Sequence, residues 1–490
     1  VIEAGQVLSN SSAYGGGGLF VWQGSATLSG GEIVGNTASR GAGLYLLNGS
    51  GTLSAGWIGG NTAADRGGGL FLSQGSVTLS GGQIVSNTAT NYGGGVCVAF
   101  GSVTLSGGQI ISNTAERGGG VYVDQGSATL SGGRILGNTA TAAADSSDGG
   151  GGVYIDAGSA VFTQSGGRIE DNHGIRGGGV YAHYGRATLS GGQVVSNSAT
   201  YGGGGVYVAA GTASLSGGQI LSNTAGNIGG GVCVFGTNGV FTQTGVSTIA
   251  YNVASMSGGG VCVLLGQAAL SGGLIHDNRA NGTASSQGGG GLFVNVNSRL
   301  SVSGGQVISN TAGSGGGVYN NDGTLTLVNT TVSANSATGG SGGGLYANGG
   351  TTAITFTTIA SNTASSGGYG IHSAGGAVRV HNTIVAYNGT TSTNCWGSIT
   401  SNDYNLEYGD TCSFDQLNDI VDTNPNLDTL AYERGTLIHR LAETSPAINS
   451  GLCVDGITTD QRGVTRVPSC DIGSYEYVLQ VYLPLVLRSY

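Results

Sequence analysis

The sequence predicts an all-β parallel β-helix, a β-solenoid of about 15 coils with three strands per coil and a small disulfide-bearing C-terminal cap domain. Three observations carry that prediction. Ile or Val followed three places later by Asn recurs from Val7/Asn10 through Ile110/Asn113 to Val385/Asn388, and most steps between successive asparagines are 25 to 27 residues, a period typical of solenoids. Each repeat breaks into short runs of alternating apolar and polar residues bounded by Gly or Asn, the pattern of strands and not of helices. The 101 glycines follow no Gly-X-Y period, so they are turn residues and not collagen.

Residues 118–140 show the three parts of a coil: GGGVYV, then GSATLSGG, then RILGNTA. In the second part Ala128 and Leu130 share one face while Ser127, Thr129 and Ser131 share the other, which predicts an inward Leu ladder and an outward hydroxyl ladder. In the third part the Ile or Val position is inward, and the next position, which varies among Val85, Gly59, Glu170, His276 and Ala250, is outward. The asparagines at the following corner, Asn36, Asn61, Asn87, Asn113, Asn138, Asn172, Asn197, Asn223, Asn252, Asn278, Asn310, Asn335 and Asn362, are expected to stack as a structural amide ladder from coil to coil. In the first part the central position reads Phe20, Tyr45, Phe71, Tyr122, Tyr154, Tyr181, Tyr207, Phe293, Tyr319 and Tyr346, with Cys97, Cys233 and Cys262 at the equivalent places. If the flanking Val and Leu residues point inward, those rings form an exposed aromatic stripe, a candidate interaction surface; the alternative is a stripe that is covered or partly core. Longer steps at Asn138/Asn172 and Asn278/Asn310 mark inserts around residues 142–148 and 282–287.

Composition changes near Cys395. All four prolines and 13 of the 25 acidic residues lie beyond it. The expected organisation is residues 1–392 as repeats, 393–477 as an acidic cap over the end of the solenoid, and 478–490 as an apolar strand. Cys395, Cys412, Cys453 and Cys470 read as two disulfides of an oxidising compartment. Three pairings are open, of which Cys395 with Cys412 and Cys453 with Cys470 is favoured. The three repeat cysteines read as packed thiols.

The GGGV and I-x-x-N pairs, as at residues 118–121 and 110–113, resemble the repeats of polymorphic outer-membrane proteins. That resemblance covers about 390 residues and implies a right-handed parallel β-helix exported to a bacterial surface. Asp460-Gln461-Arg462-Gly463 and the run from Cys470 to Tyr477, CDIGSYEY, are similar to the choice-of-anchor Q domain, which implies an exported β-helix protein with a surface-attachment region.

Charge excludes some functions. Net charge is -10 and every one of the 15 basic residues is Arg, so no basic stripe exists for nucleic acid. No apolar run reaches the roughly 20 residues of a membrane span. The chain opens at Val1 with neither Met nor a signal peptide, which predicts a processed secreted protein, extracellular or at a cell surface. Catalysis on polysaccharides requires convergent carboxylates or a carboxylate-bound cation. Glu170, Asp171 and His173 form one candidate group, with His183 and Arg186 nearer to it than the second group, His276 and Asp277, which lies four coils away. Asp455, Asp460 and Asp471 are candidate ligands for one cation. Each group reads more readily as a solvated turn or a structural cluster, and no cofactor is expected.

The leading expectation is therefore a secreted, non-enzymatic structural protein that self-assembles head to tail into an extracellular filament or surface layer. The expected subunit contact pairs Val1, Ile2 and Val7 of an unfinished first coil with Val481, Leu483, Leu485 and Leu487 of a second copy. The alternatives are a monomeric adhesin whose aromatic stripe binds glycans, and a polysaccharide lyase or hydrolase.

Overall fold

The computed structural model describes residues 1–142, 149–284, 286–389 and 393–479. The chain winds as a parallel β-solenoid of about 15 turns. A typical coil contributes Val121–Val123, Ser127–Leu130, Arg134–Leu136 and Thr139–Ala140. The first three join a continuous 40-stranded sheet, and the last joins a separate ladder of 14. This fourth short strand was not visible in the sequence, because the NTA run reads as a continuation of the third strand. The residue before each Asn has a left-handed backbone and breaks the strand there: Ser112 at φ 53° and Ser86 at the same angle, Asp171 at 53°, Tyr251 at 58°. Gly35, Gly60 and Gly137 take the same conformation without the steric penalty of a Cβ.

The asparagine after that turn closes the coil. Asn113 Oδ1 accepts from the backbone N and the Nδ2 of Asn87 at 2.9 and 3.0 Å. Its own Nδ2 donates to Asn138 Oδ1 and to the Ile84 carbonyl, both at 2.9 Å. Two donors and two acceptor sites are thus satisfied in a side chain with no solvent exposure. The same pattern runs from Asn10 to Asn388, and the 34-residue step from Asn138 to Asn172 leaves it intact at 2.9 Å. The extra length is accommodated elsewhere on the coil; most of the insert at 142–148 lies outside the described residues.

Inside the coil the expected faces are found. Val121 and Val123, Ala128 and Leu130, and Ile135 all belong to one buried apolar core running the length of the rod. The GGG run follows from close coil stacking. Gly118 has φ +63°, and a Cβ on Gly119 or Gly120 would meet the carbonyl of Thr139 or Gly152 at 2.4 or 2.6 Å. The amides of these glycines donate to the glycine carbonyls of the next coil, Gly118 to Gly149 and Gly120 to Gly151, so they form backbone ladders and no anion cradle.

The aromatic column takes the covered arrangement and not the exposed one. The flanking valines do point inward, yet the rings are not exposed. Phe71, Tyr122, Tyr154, Tyr181, Tyr207, Phe293 and Tyr319 are buried in a second apolar cluster with Cys97, Cys233 and Cys262. The chain between the fourth strand and the GGG run folds over them: Tyr92, Tyr201, Ile228 and Met256 pack against the column. The Tyr92 ring lies 4.8 Å from that of Tyr122. Residues of this segment also pair from coil to coil, Arg66 with Tyr92 and Tyr92 with Arg117. Of the predicted stripe, only Phe20 is exposed, and Tyr45 and Tyr346 are half-buried. At the far end Tyr346, His372 and Trp396 stack with centroids 4.7 and 4.4 Å apart.

The boundary at residue 393 also moves. Cys395–Gly397 and Leu406–Glu407 pair with the preceding coil, Cys395 opposite Ile371 and Leu406 opposite Ile384, so a last coil continues to Glu407. Asn388 donates to Asn394, and Asn394 passes to the Tyr408 carbonyl at 2.7 Å. Glu407, fully buried, accepts from the backbone amides of Thr411 and Cys412. Both favoured disulfides are formed, Cys395 with Cys412 and Cys453 with Cys470. Cys412, Phe414 and Val421 pack onto the end of the core and cover it, and only the chain beyond them leaves the end of the rod. It folds back along the outer face of the third strands, where Gln306, Ile308, Thr331, Ser333, Thr358 and Ala360 are buried. Of the expected subunit contact, Val481, Leu483, Leu485 and Leu487 lie outside the described residues, Val1 is exposed, and Ile2 and Val7 are partly buried against the core.

Two substitutions test the turn. Asn113→Ala strands the Asn87 donors and the Ile84 and Asn138 acceptors, and should lower stability by about 3 kcal/mol or more, at about 1–3 kcal/mol per buried unsatisfied group; the shift in the urea midpoint measures it. Ser112→Gly removes left-handed strain of about 1–2 kcal/mol against an entropic cost of about 0.5–1 kcal/mol, so the same midpoint should rise slightly.

Candidate functional site

The acidic candidates separate in space. Glu170 ends Arg168–Glu170 with its side chain against the wall, almost fully buried and ion-paired with Arg134 and, at 3.1 Å, with Arg168. Asp171 is the left-handed turn residue, and His173 Nδ1 lies 2.9 Å from Ser198 Oγ. His276 Nδ1 contacts its neighbour Asp277 at 2.7 Å. These groups serve local turns and are not brought to one point. Arg186 opens Arg186–Leu189 and is exposed.

His183 joins Asp156, not Glu170. The two follow the first strand of adjacent coils, and the His183 amide donates to the Ile155 carbonyl. His183 Nδ1 is 3.0 Å from Asp156 Oδ1 and 3.1 Å from the Tyr154 hydroxyl, while the Tyr122 hydroxyl donates to Asp156 Oδ2. Burial acts to raise the Asp156 pKa, but the hydrogen bonds from His183 and Tyr122 outweigh it and hold the carboxyl below its ordinary value. Asp124, one coil earlier, shifts the other way: burial raises it, and Arg66 at 3.5 Å offsets only part of that. Burial, reinforced by Asp156, pushes the Tyr122 hydroxyl up, so it stays a donor. Sequence reading missed Asp156 because it lies in the corner after VYI, 27 residues from its partner. The usable signal is the coil period, which puts Asp124, Asp156 and His183 in one column.

The proposed cation ligands do not converge. Asp455 is exposed. Asp460 is bound to Arg462, at 2.6 and 2.8 Å, and to the Val464 and Glu476 amides. Asp471 accepts from the Asn449 and Tyr477 amides. Arg466, itself buried, pairs with Glu476 at 3.0 Å. The arginines supply the positive charge that a cation would have brought. Among the described residues no group of three or more His, Cys, Asp or Glu is placed to hold a metal.

The DQRG and CDIGSYEY runs instead fasten the C-terminal segment to the rod. Thr331 Oγ1 donates to Gln461 Oε1 at 2.6 Å, Ser474 bonds Thr358 at 3.0 Å, and Arg466 reaches Asn329 Oδ1 at 2.9 Å. His439 lies between the two parts, with Nε2 2.9 Å from Ser333 Oγ and Nδ1 2.8 Å from the Asp428 carbonyl.

The outward apolar side chains sit one corner beyond the buried column. Trp22, Phe100, Tyr184, Phe235, Leu265 and Val296, all exposed, lie at or near the turn that follows the first strand. A groove of about 290 Å³ opens there between Tyr184 and Phe235.

Residues 17–194 match the family described as right handed beta helix region. No curated protein and no solved structure matches the chain. The matched stretch spans the Asn36 to Asn172 turns, and the coils after it repeat the same four strands and the same amide ladder.

Burial keeps His439 neutral and its folded pKa below the ordinary 6.5. The unfolded or detached segment therefore binds a proton more readily, so docking is stable above about 6.5 and weakens as pH falls below it, until the folded imidazole itself is protonated. Limited proteolysis of the C-terminal segment should accelerate between pH 7 and pH 5, and His439→Gln should flatten that response.

Proposed function

We propose that this chain is a secreted, non-enzymatic structural protein, a rod of fixed length in an extracellular or cell-surface layer. The observation that carries the reading is the amide ladder, which continues from Asn10 to Asn394 through every long step while the outward third-strand position varies among Val85, Gly59, Glu170, His276 and Ala250. A chain that preserves its closure in every coil without assembling a shared polar site on its third-strand face is organised around shape. The two disulfides favour an oxidising compartment. The resemblance to polymorphic outer-membrane repeats and to the choice-of-anchor Q domain supports a bacterial surface, and self-association into filaments or layers is the corresponding mode of assembly.

A polysaccharide-degrading enzyme is the competing reading, and the Asp124, Asp156 and His183 column is where it would act. Incubation with a panel of neutral and acidic polysaccharides should release no new reducing ends and no unsaturated products, while small-angle scattering reports a stiff particle about 70 Å or more in length at about 4.8 Å per coil. Product release that Asp156→Asn abolishes would replace the structural reading with the enzymatic one.

A further inference from the structure

The corner after the first strand changes character over three successive coils. It reads His183-Tyr184, then Ala209-Ala210, then Phe235-Gly236. Tyr184 is 56% and Phe235 40% exposed, and the coil between them presents only two methyl groups. Coils are about 4.8 Å apart, so Tyr184, in line with Ala210, and Phe235, in line with Ala209, stand diagonally across roughly two coil spacings from which one layer of large side chains is missing. Such a gap admits one flat ring in van der Waals contact, about 3.5–4.0 Å, with each wall. The buried column supplies the floor: the Tyr207 ring lies 6.4 Å from that of Phe235 and nearly parallel to it, and Tyr181 lies 5.7 Å from His183. The Tyr184 wall is braced by the His183 ring, 4.1 Å from it.

The rim is polar. His183, Thr237 and Asn238 border the groove beside Arg176. His183 commits Nδ1 to Asp156 and Tyr154, and no protein partner among the described residues holds its Nε2. Nε2 is thereby left to hydrogen-bond a ligand. Two apolar walls with hydrogen-bonding groups at their edges match a pyranose, whose C–H face packs on aromatic rings while its hydroxyls project from the rim. A purely apolar ring would fill the walls and leave the polar rim without partners. At about 290 Å³ the groove lies at the lower end of small-molecule sites, which suits one sugar residue of a longer chain.

We propose that the slot between Tyr184 and Phe235 binds a glycan by clasping one pyranose ring over Ala209 and Ala210, with His183 and Asn238 at its hydroxyls. This is a lateral site on the rod wall, floored by the buried tyrosine column and apart from any assembly through the rod ends.

The test is isothermal titration of the full chain with maltohexaose, cellohexaose and chitohexaose. Saturable binding of at least one of them is expected, weakened roughly tenfold by Tyr184→Ala and by Phe235→Ala, in line with about 1.4 kcal/mol per lost ring contact. Ala210→Trp keeps both walls, fills the gap and should abolish binding. All three variants should retain the wild-type thermal midpoint, because the positions lie outside the amide ladder and the central core. Absence of saturable binding to all three hexaoses, or binding that Ala210→Trp leaves intact, overturns the proposal.

Discussion

Everything in this molecule depends on the pairing of a left-handed turn residue with a buried amide. The turn swings the chain out of the third strand, and the Asn that follows satisfies the backbone left exposed by that break, twice over, with help from the coil on each side. The arrangement is mutual. Each Asn supplies acceptors to the coil before it and consumes acceptors of the coil after it, so no coil is complete by itself and stability accrues between neighbours. Because the constraint is local to one corner, length can be added elsewhere without disturbing it, as the intact bond from Asn138 to Asn172 shows.

With closure assured at that corner, the rest of the circumference is free to specialise. One wall buries a column of tyrosines and cysteines under its own connecting segment. Another wall, in the last coils, exchanges its variable outward residues for Thr331, Ser333, Thr358 and Ala360, and receives the C-terminal segment. The buried arginines and carboxylates of that segment form pairs whose value lies in fixing one docking geometry, since removal of either partner would leave an uncompensated charge. The corner beyond the tyrosine column stays open to solvent and carries the exposed rings.

Much of this was legible in the repeat. The Ile-x-x-Asn spacing and the alternation in residues 126–133 identify the coil, its inward face and the amide ladder, because strand periodicity and corner chemistry are local properties. The favoured disulfide pairing was also correct, each pair closing a 17-residue separation. The fourth strand was hidden, since a left-handed Ser leaves no mark that separates NTA from the strand before it. Whether the aromatic column is exposed or covered stayed open because period-2 alternation says which side of a sheet a residue faces and says nothing about what lies over that side. Tyr92, Ile228 and Met256, which cover it, sit in irregular segments whose path no pattern announces.

The same limit explains the candidate sites. Asp156 and His183 share a column only once the coil register aligns residues 27 apart, and Glu170 loses its apparent partnership with His183 because the two occupy different corners. Sequence alone determined the solenoid, its period, its core and its closing amides, for these follow from contacts between equivalent positions one repeat apart. Tertiary structure decided which outward faces remain outward: the connecting segment of each coil covers the tyrosines, the chain beyond Val421 returns to dock along the third strands, and the corner at Ala209 and Ala210 is left open, because strand alternation fixes a side and not what lies over it.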